Sequence, residues 1–428
     1  MRHKTRILLA GTMGNMIETF DMAICGLLSA YLAKYLIGDA STGMFIVFLT
    51  FFAGYLARPI GAMVMGLLSD IYGRKIVLAA SVLSMGIATA LIGFIPTHSS
   101  IGAVSVLVLL LLRILQSFSC GAEYLNSSAY LVENAENSSK VFSGSWASFG
   151  AMSGTMIASL VALGVNHFST LYPDLDWVVW RIPFVFALLG SSIGLYVRLF
   201  IPESMEYIMY YADNPRPKFG NLFKDSVSYV KSNKVKAFYV FILSALGVTT
   251  TFQIYIYGPM QAHLYDSFSD HQIILSNIFS LSVLLCIFPI VGRLSDKINR
   301  DKIVIAASLG FLVLSQPFFY SLSYGSFNQL LLSHTLIAIP AGAYYATVPV
   351  MLAEMFPIQL RCTVLSVLYS VAASLSAGLA PLLSLVLVKK TGMASSPSLL
   401  VFILGFAAIY CILMNSKNYG SKLDIISS

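Results

Sequence analysis

The sequence predicts an all-helical integral membrane protein of twelve spans, arranged as two similar halves. Three observations carry that prediction. Hydrophobic residues make up 57% of the 428 residues and charged residues only 11%, with a mean hydropathy of +0.80. A soluble domain carries about 25% charged residues. Apolar runs of about 20 residues recur along the chain, each long enough to cross a hydrocarbon layer of about 30 Å. Finally, one hydrophilic turn is written twice, as GLLSDIYGRK at Gly66–Lys75 and as GRLSDKINRDK at Gly292–Lys302. Gly66, Asp70 and Arg74 have the same spacing as Gly292, Asp296 and Arg300.

The spans are expected at residues 7–36, 43–67, 76–95, 102–131, 142–164, 182–200, 237–260, 271–292, 303–322, 328–352, 363–388 and 398–414. Each must be a helix, because an isolated strand would leave its backbone groups unpaired in lipid. The N-terminal MRHKTRILLA resembles the start of a signal peptide. Its apolar run continues past Glu18 and Asp21, so an uncleaved first span is expected. The longest polar stretch, 201–236, holds Pro202, Pro215 and Pro217 and separates span 6 from span 7. It divides the chain into an N-terminal half (1–200), a linker (201–236) and a C-terminal half (237–428). Within the linker, Phe219, Leu222, Phe223, Val227 and Val230 recur at helical spacing, which fits a helix lying on the membrane surface or, alternatively, a solvated loop. Gly258–Pro259 is a candidate break in span 7.

The net charge of +7 is not a nucleic-acid signal. On this segmentation 20 of the 26 Lys and Arg lie on one side of the membrane, four on the other, and Arg58 and Arg113 within spans. The positive-inside rule then places both termini and both charged turns in the cytoplasm. The five cysteines are scattered with no CxxC, so no disulfide framework, metal site or cofactor is expected.

Six spans, a basic linker, six more spans and a repeated charged turn resemble the major facilitator superfamily, whose fold has twelve helices in two pseudo-symmetric six-helix halves. The second turn is degenerate, with Asn299 in place of the usual glycine and Asp301 added. IETFD (17–21), ARPIGAMVMG (57–66), LLRILQSFSCGAEY (111–124), GSW (144–146), WRIPF (180–184) and AEMFPIQLR (353–361) occur in that order. Together they resemble the metabolite:proton symporter family, and Glu123–Tyr124 with Ser128 is most similar to its proline/betaine branch. The chain departs from that family at Thr19–Phe20, where an aromatic pair is usual, and at Ser117 and Ala122, which replace glycines.

Ionisable groups at bilayer depth cost at least about 2.5–3.5 kcal/mol each and mark functional positions. The segmentation leaves Glu18, Asp21, Arg58, Arg113 and Glu123 at depth, all in the N-terminal half. Asn15, Glu18 and Asp21 share one face of span 1, and Arg113, Gln116, Cys120 and Glu123 one face of span 4. The substrate-binding candidates are Arg113, whose guanidinium can hold a carboxylate in two places, with Gln116, Tyr124 and, on span 7, Tyr255. The proton-coupling candidates are Glu18, Asp21 and Glu123, since desolvation favours a protonated carboxyl. Arg113 as a fixed counter-ion to Glu18 or Asp21 is the alternative. Arg58 resembles the family's Arg-Pro pair and reads as a gating or packing residue. The resemblance makes Gly66, Asp70, Gly73 and Arg74, with Asp296 and Arg300, a gating latch in which Asp70 caps a helix end and pairs with a basic residue of the other half. Ser and Gly at 143–154 read as close helix packing. Tyr344, Tyr345 and Tyr369 are further aromatic candidates, and His334 reads as a packing residue.

The expected activity is proton-coupled symport of a small polar metabolite by alternating access. The near-neutral set of depth charges favours a zwitterion such as proline or glycine betaine. A di- or tricarboxylate symporter and a non-transporting solute sensor are the alternatives. No enzymatic constellation or nucleotide-binding loop is present. A cell (inner) membrane protein that works as a monomer, with solute, protons and lipid as its partners, is expected.

Overall fold

Helices long enough to cross a bilayer form wherever the apolar runs occur. The structure is a computed structural model. It describes the backbone of residues 2–38, 40–265 and 267–426, and the side chains of these except 2–4, 40–42, 44, 45, 48, 260, 263, 264, 270 and 415–426. Span 1 is Arg2–Leu27, continued past a break at Leu28 by Ser29–Leu32 and Ala33–Ile37. Span 2 is Ala40–Tyr72, span 3 Arg74–Gly93, span 4 Val104–Ser119 with Glu123–Glu133, span 5 Lys140–Leu171 and span 6 Ile182–Leu199. In the second half the spans are Lys234–Phe252 continued by Gln253–Tyr257 and Gly258–Leu264, then Asp270–Ser295, Arg300–Tyr324, Phe327–Glu354, Arg361–Thr391 and Ser398–Ile426. Among the described residues, ten helices meet the length and composition needed to cross a membrane; the bent first span and the shorter apolar Ser398–Met414 make twelve. Together they form two pseudo-symmetric six-helix halves.

Spans 1 and 7 occupy equivalent places in the halves, and both lose regular α-helix toward the same end. Span 1 bends by 59° and passes into a π-helical turn at Ala33–Ile37, closed by Gly38 at φ +81°. Span 7 has a π-helical turn at Gln253–Tyr257 and then resumes as Gly258–Leu264, so Gly258–Pro259 follows the irregularity rather than ending the helix. Pro259 has no N–H to give to the carbonyl one turn back, and a widened turn absorbs that loss.

Span 4, expected to be continuous, is interrupted at Cys120–Ala122. There it crosses span 2 backbone to backbone. A Cβ on Gly61 would overlap the Phe118 carbonyl, and one on Gly121 would lie 2.5 Å from the Arg58 carbonyl oxygen. The freed Gly121 carbonyl accepts from Ser370 Oγ of span 11 at 2.7 Å. Span 1 crosses span 5 in the same manner, with Gly150 against Thr12 and Gly154 against Met16. Gly150 and Gly154 of span 5 are therefore where the two backbones approach closely.

Two seams join the halves: span 2 packs on span 11, and span 5 packs on span 8. Along the first seam, span 11 presents serines every fourth residue. Ser366 donates to Asn126 at 3.1 Å, Ser370 to Gly121, and Ser374 to the Tyr55 carbonyl at 2.5 Å. The linker contains two helices: Phe219–Ser232, where the apolar spacing fits either a helix or a solvated loop, and Met205–Asp213, which that spacing does not reach. Leu222 is buried in the apolar cluster that includes Leu67 and Ile71 of span 2, whereas Phe219, Phe223 and Val227 form an exposed stripe.

Replacing Gly150 by Val should force spans 1 and 5 apart. Overpacking of this kind costs roughly 1–3 kcal/mol, and a lowered thermal unfolding midpoint of the detergent-solubilised protein is the expected result. Substituting Gly164, whose Cβ would meet nothing within 4 Å, should leave that midpoint unchanged.

Candidate functional site

The ionisable residues at bilayer depth in the N-terminal half sort into two ion pairs and one separated pair. Glu18 of span 1 contacts Arg58 Nη2 of span 2. Both are buried, and the contact leaves Glu18 Oε2 and Arg58 Nε without a protein partner among the described residues. The pair lies at the boundary between the halves. The Arg58 guanidinium is 6.0 Å from the ring centre of Tyr55, which shares an apolar cluster with Tyr369 of span 11. Tyr369 packs on Tyr124 with ring centres 5.4 Å apart, and Tyr55 meets Phe252 of span 7 edge-on at 5.6 Å.

Tyr124 also begins a hydrogen-bond chain between the halves. Its hydroxyl lies 2.8 Å from Ser148 Oγ, which in turn donates to the Tyr345 carbonyl at 2.6 Å. Tyr345 Oη meets Thr250 and Thr251 at 2.8 Å each, so the threonines of span 7 orient that ring.

Asp21 and Arg113 are not in direct contact. Thr89 of span 3 donates to Asp21 Oδ2 at 2.9 Å, and Gln116 Nε2 donates to Thr89 Oγ1 at 2.8 Å and to the Asp21 carbonyl at 3.3 Å. Arg113 Nη1 donates to Gln116 Oε1 at 2.6 Å while its guanidinium lies 3.8 Å from the centre of the Phe51 ring. Two neutral side chains therefore join a carboxylate to a guanidinium, and Asp21 Oδ1 has no hydrogen-bond partner among the described residues.

Glu123 is ion-paired with Arg198 of span 6 and accepts from Ser81 of span 3. Arg198 reaches it past span 1 through a notch at Gly14, where any Cβ would overlap the guanidinium. Arg198 had been counted among the basic residues outside the membrane. It lies within the apolar run 182–200, and its long side chain turns back into the bundle, where it is 1% exposed. Tyr255 sits apart, in the C-terminal half, its ring 5.7 Å from that of His334. His334 is buried, with Nδ1 3.3 Å from Ser276 Oγ and its ring against Phe318.

At the end that carries the charged turns, each half closes on the other by the same device. Asp70 accepts from the backbone N–H of Cys362 and Thr363 at 3.3 and 2.8 Å and from Thr363 Oγ1 at 2.7 Å. Asp296 accepts from the N–H of Val141 and Phe142 at 2.8 and 3.0 Å. Each aspartate thus satisfies the open N-terminus of a helix in the opposite half, span 11 or span 5, where donors and the helix dipole favour an anion. The cation nearest Asp70 is Arg74 of its own half, at 3.4 Å. Gly66 and Gly292 let these ends meet: a Cβ on Gly66 would lie 2.7 Å from Thr363 Cα, and one on Gly292 3.1 Å from Phe142 Cα.

Glutamates brace the closure. Glu133 holds both Arg74 at 3.2 Å and Arg361 at 2.8 Å, and Arg361 also meets Glu206 of the linker at 3.0 Å. Opposite, Glu354 holds Arg300 of its own half and Lys140 of the other. Gly73 adopts φ +105°, whereas Asn299 at the equivalent place has φ −56° and caps span 9 through Asp301 N at 2.8 Å. The second turn therefore has no need of glycine. Thr89, Ser81, Glu133 and the serines of span 11 escaped sequence reasoning. The fourfold spacing of Ser366, Ser370 and Ser374 was the available signal.

A family model described as "Sugar (and other) transporter" matches residues 7–214, and one described as "Major Facilitator Superfamily" matches 238–422. The ectoine/proline transporter ProP of Corynebacterium glutamicum is 28% identical, over 99% of this chain and 86% of its own. The proline/betaine transporter of Escherichia coli K12 is 27% identical, over 90% of this chain and 78% of its own. Among solved structures, the proton:xylose symporter XylE superposes with a TM-score of 0.78 at 16% identity, covering 97% of this chain and 96% of that one. Its inward-open form from E. coli gives 0.67 at 17% identity and 95% of each chain.

Two variants test this geometry. Replacing Arg198 by Met strands Glu123 in the interior and should cost about 3–5 kcal/mol in unfolding, most of which the additional change Glu123→Gln should recover. Replacing Asp70 by Ala removes a cap worth roughly 1–2 kcal/mol, an expected shift of about 5- to 30-fold away from the closed end. With Cys362 kept as the sole cysteine, that shift should appear as faster maleimide labelling of its buried thiol. Together, the paired halves, the capped turns and these likenesses establish that the chain has the major facilitator fold.

Proposed function

We propose that this chain is a proton-coupled symporter of a small zwitterion of the proline or betaine kind, working by alternating access. One observation carries the reading: the single-contact ion pair Glu18–Arg58 lies where the halves meet, beside Tyr55, which packs with Tyr369 of span 11. Protonating Glu18 would leave Arg58 as an unmatched charge in a dry interior, a costly state. A substrate carboxylate on Arg58 removes that cost. Proton and carboxylate therefore favour each other's binding, and the coupling is reciprocal. The substrate's cationic end fits the rings of Tyr55, Tyr124 and Tyr369, which attract a quaternary ammonium through their faces. The names of the relatives support the substrate class.

Asp21 is a second candidate for the proton, favoured by Oδ1, which has no hydrogen-bond partner among the described residues. Gln116 and Thr89 would transmit its protonation to Arg113. In this proposal the halves are residues 1–200 and 237–428, joined by the linker 201–236. The protein is a multi-pass monomer of the cell (inner) membrane, with both termini and the charged turns in the cytoplasm. Arg74, Asp70, Asp296 and Arg300 then belong to the cytoplasmic gate.

The test is uptake of radiolabelled proline, glycine betaine and oxoglutarate into vesicles, with and without an inward proton gradient. A zwitterion should accumulate with the gradient. Glu18→Gln should abolish accumulation while counterflow persists, and Asp21→Asn should do so instead if Asp21 carries the proton. Unchanged accumulation in both variants would refute proton coupling at span 1. Accumulation of oxoglutarate alone would refute the zwitterion.

A further inference from the structure

The linker helix Met205–Asp213 is fastened to the turn between spans 2 and 3. Tyr207 Oη donates to the Ile71 carbonyl at 2.7 Å, and the Arg74 guanidinium lies over the Tyr207 ring at 4.8 Å. Glu203, just ahead of the helix, accepts from the backbone N–H of Arg74, Lys75 and Ser204 at 2.8–3.3 Å. That carboxylate therefore covers the N-terminus of span 3 and is spent on backbone donors. Beside it the linker and span 3 leave a cavity of about 560 Å³. Its wall includes Lys75 and Arg216, together with Tyr72, Ile76, Ile208 and Tyr211.

The chemistry of this wall is divided. Neither Lys75 Nζ nor the Arg216 guanidinium has an acidic partner among the ion pairs of the described residues. The buried Tyr211 hydroxyl has no hydrogen-bond partner among the described residues. Two cations against the one spent carboxylate of Glu203 leave the cavity with a surplus of one positive charge. The other side is apolar and open: Ile76 is 60%, Tyr72 55% and Ile208 49% exposed. Ile76 stands in the first turn of span 3, at the start of its apolar run.

We infer that this cavity is a binding site for an anionic phospholipid, with the phosphodiester between Lys75 and Arg216 and an acyl chain along Ile76 and Ile208. A phosphodiester carries one negative charge and acceptor oxygens for both cations and for Tyr211. A soluble anion would match the cations but leave the exposed apolar wall uncovered. The ligand would bridge span 3 and the linker, whose Glu206 holds Arg361 of the gate. The leaflet concerned is the cytoplasmic one under the orientation proposed above.

The experiment compares the full-length protein with its K75Q/R216Q variant in nanodiscs of mixed phosphatidylglycerol and phosphatidylcholine, followed by native mass spectrometry of retained lipid. Nanodiscs present phosphatidylglycerol in both leaflets, and transport is not the readout, so the result stands apart from the orientation and from the proposed symport. The wild type should retain phosphatidylglycerol about 10- to 30-fold more than the variant, the loss expected for two cations near a charged surface. Equal thermal unfolding of the two proteins in phosphatidylcholine alone would show that the variant folds. Equal retention in the two proteins would overturn the proposal. So would displacement of the lipid by millimolar glycerol 3-phosphate, which would assign the site to a soluble anion.

Discussion

An ionised side chain within this bundle has no bulk water to solvate it, and the arrangement of the N-terminal half follows from that constraint. Glu18 has Arg58, Glu123 has Arg198, and Asp21 and Arg113 are joined through Thr89 and Gln116. Each solution draws in a different helix. Glu123 requires spans 3 and 6, Asp21 requires span 3, and Glu18 requires span 2, so the charges also determine which faces of spans 1 and 4 turn toward the other half. A pair at the boundary between halves can exchange partners as the boundary moves. A pair enclosed among spans 3, 4 and 6 is better suited to hold one half rigid.

The closed end relies on backbone dipoles as much as on charges. Asp70 and Asp296 each neutralise a helix N-terminus across the boundary, and Gly66 and Gly292 allow the approach. Such a contact is strong when made and leaves both partners able to meet water when broken, which suits a joint that opens in every cycle. The serines of span 11 work similarly. They donate to carbonyls and an amide of the opposite half without placing a fixed charge in the seam. The linker adds Glu206 and Tyr207 to the same end, so the segment between the halves is part of the closure.

Much of this was legible in the residues. Twelve spans follow from apolar run length and the two halves from the repeated turn, while the helical spacing in the linker left a helix and a solvated loop both open until the structure showed Phe219–Ser232. Glu18, Asp21, Arg58, Arg113 and Glu123 stand out because charge at depth is costly. The partners of those charges were not legible. Arg198 looks like an ordinary basic residue at a span end, and only the notch at Gly14 shows that it turns inward.

What the sequence determined by itself is therefore what depends on local composition and period: length in the bilayer, helical state, handed-down repetition and the presence of charges that need partners. What only the tertiary structure decided is which partner each charge takes and which face each helix turns to the other half. Those outcomes depend on contacts between residues far apart in the chain, such as Glu123 with Arg198 or Asp70 with Thr363. Period along one helix places Glu18 and Asp21 on one face. The neighbours that surround that face in space give the two carboxylates their different partners.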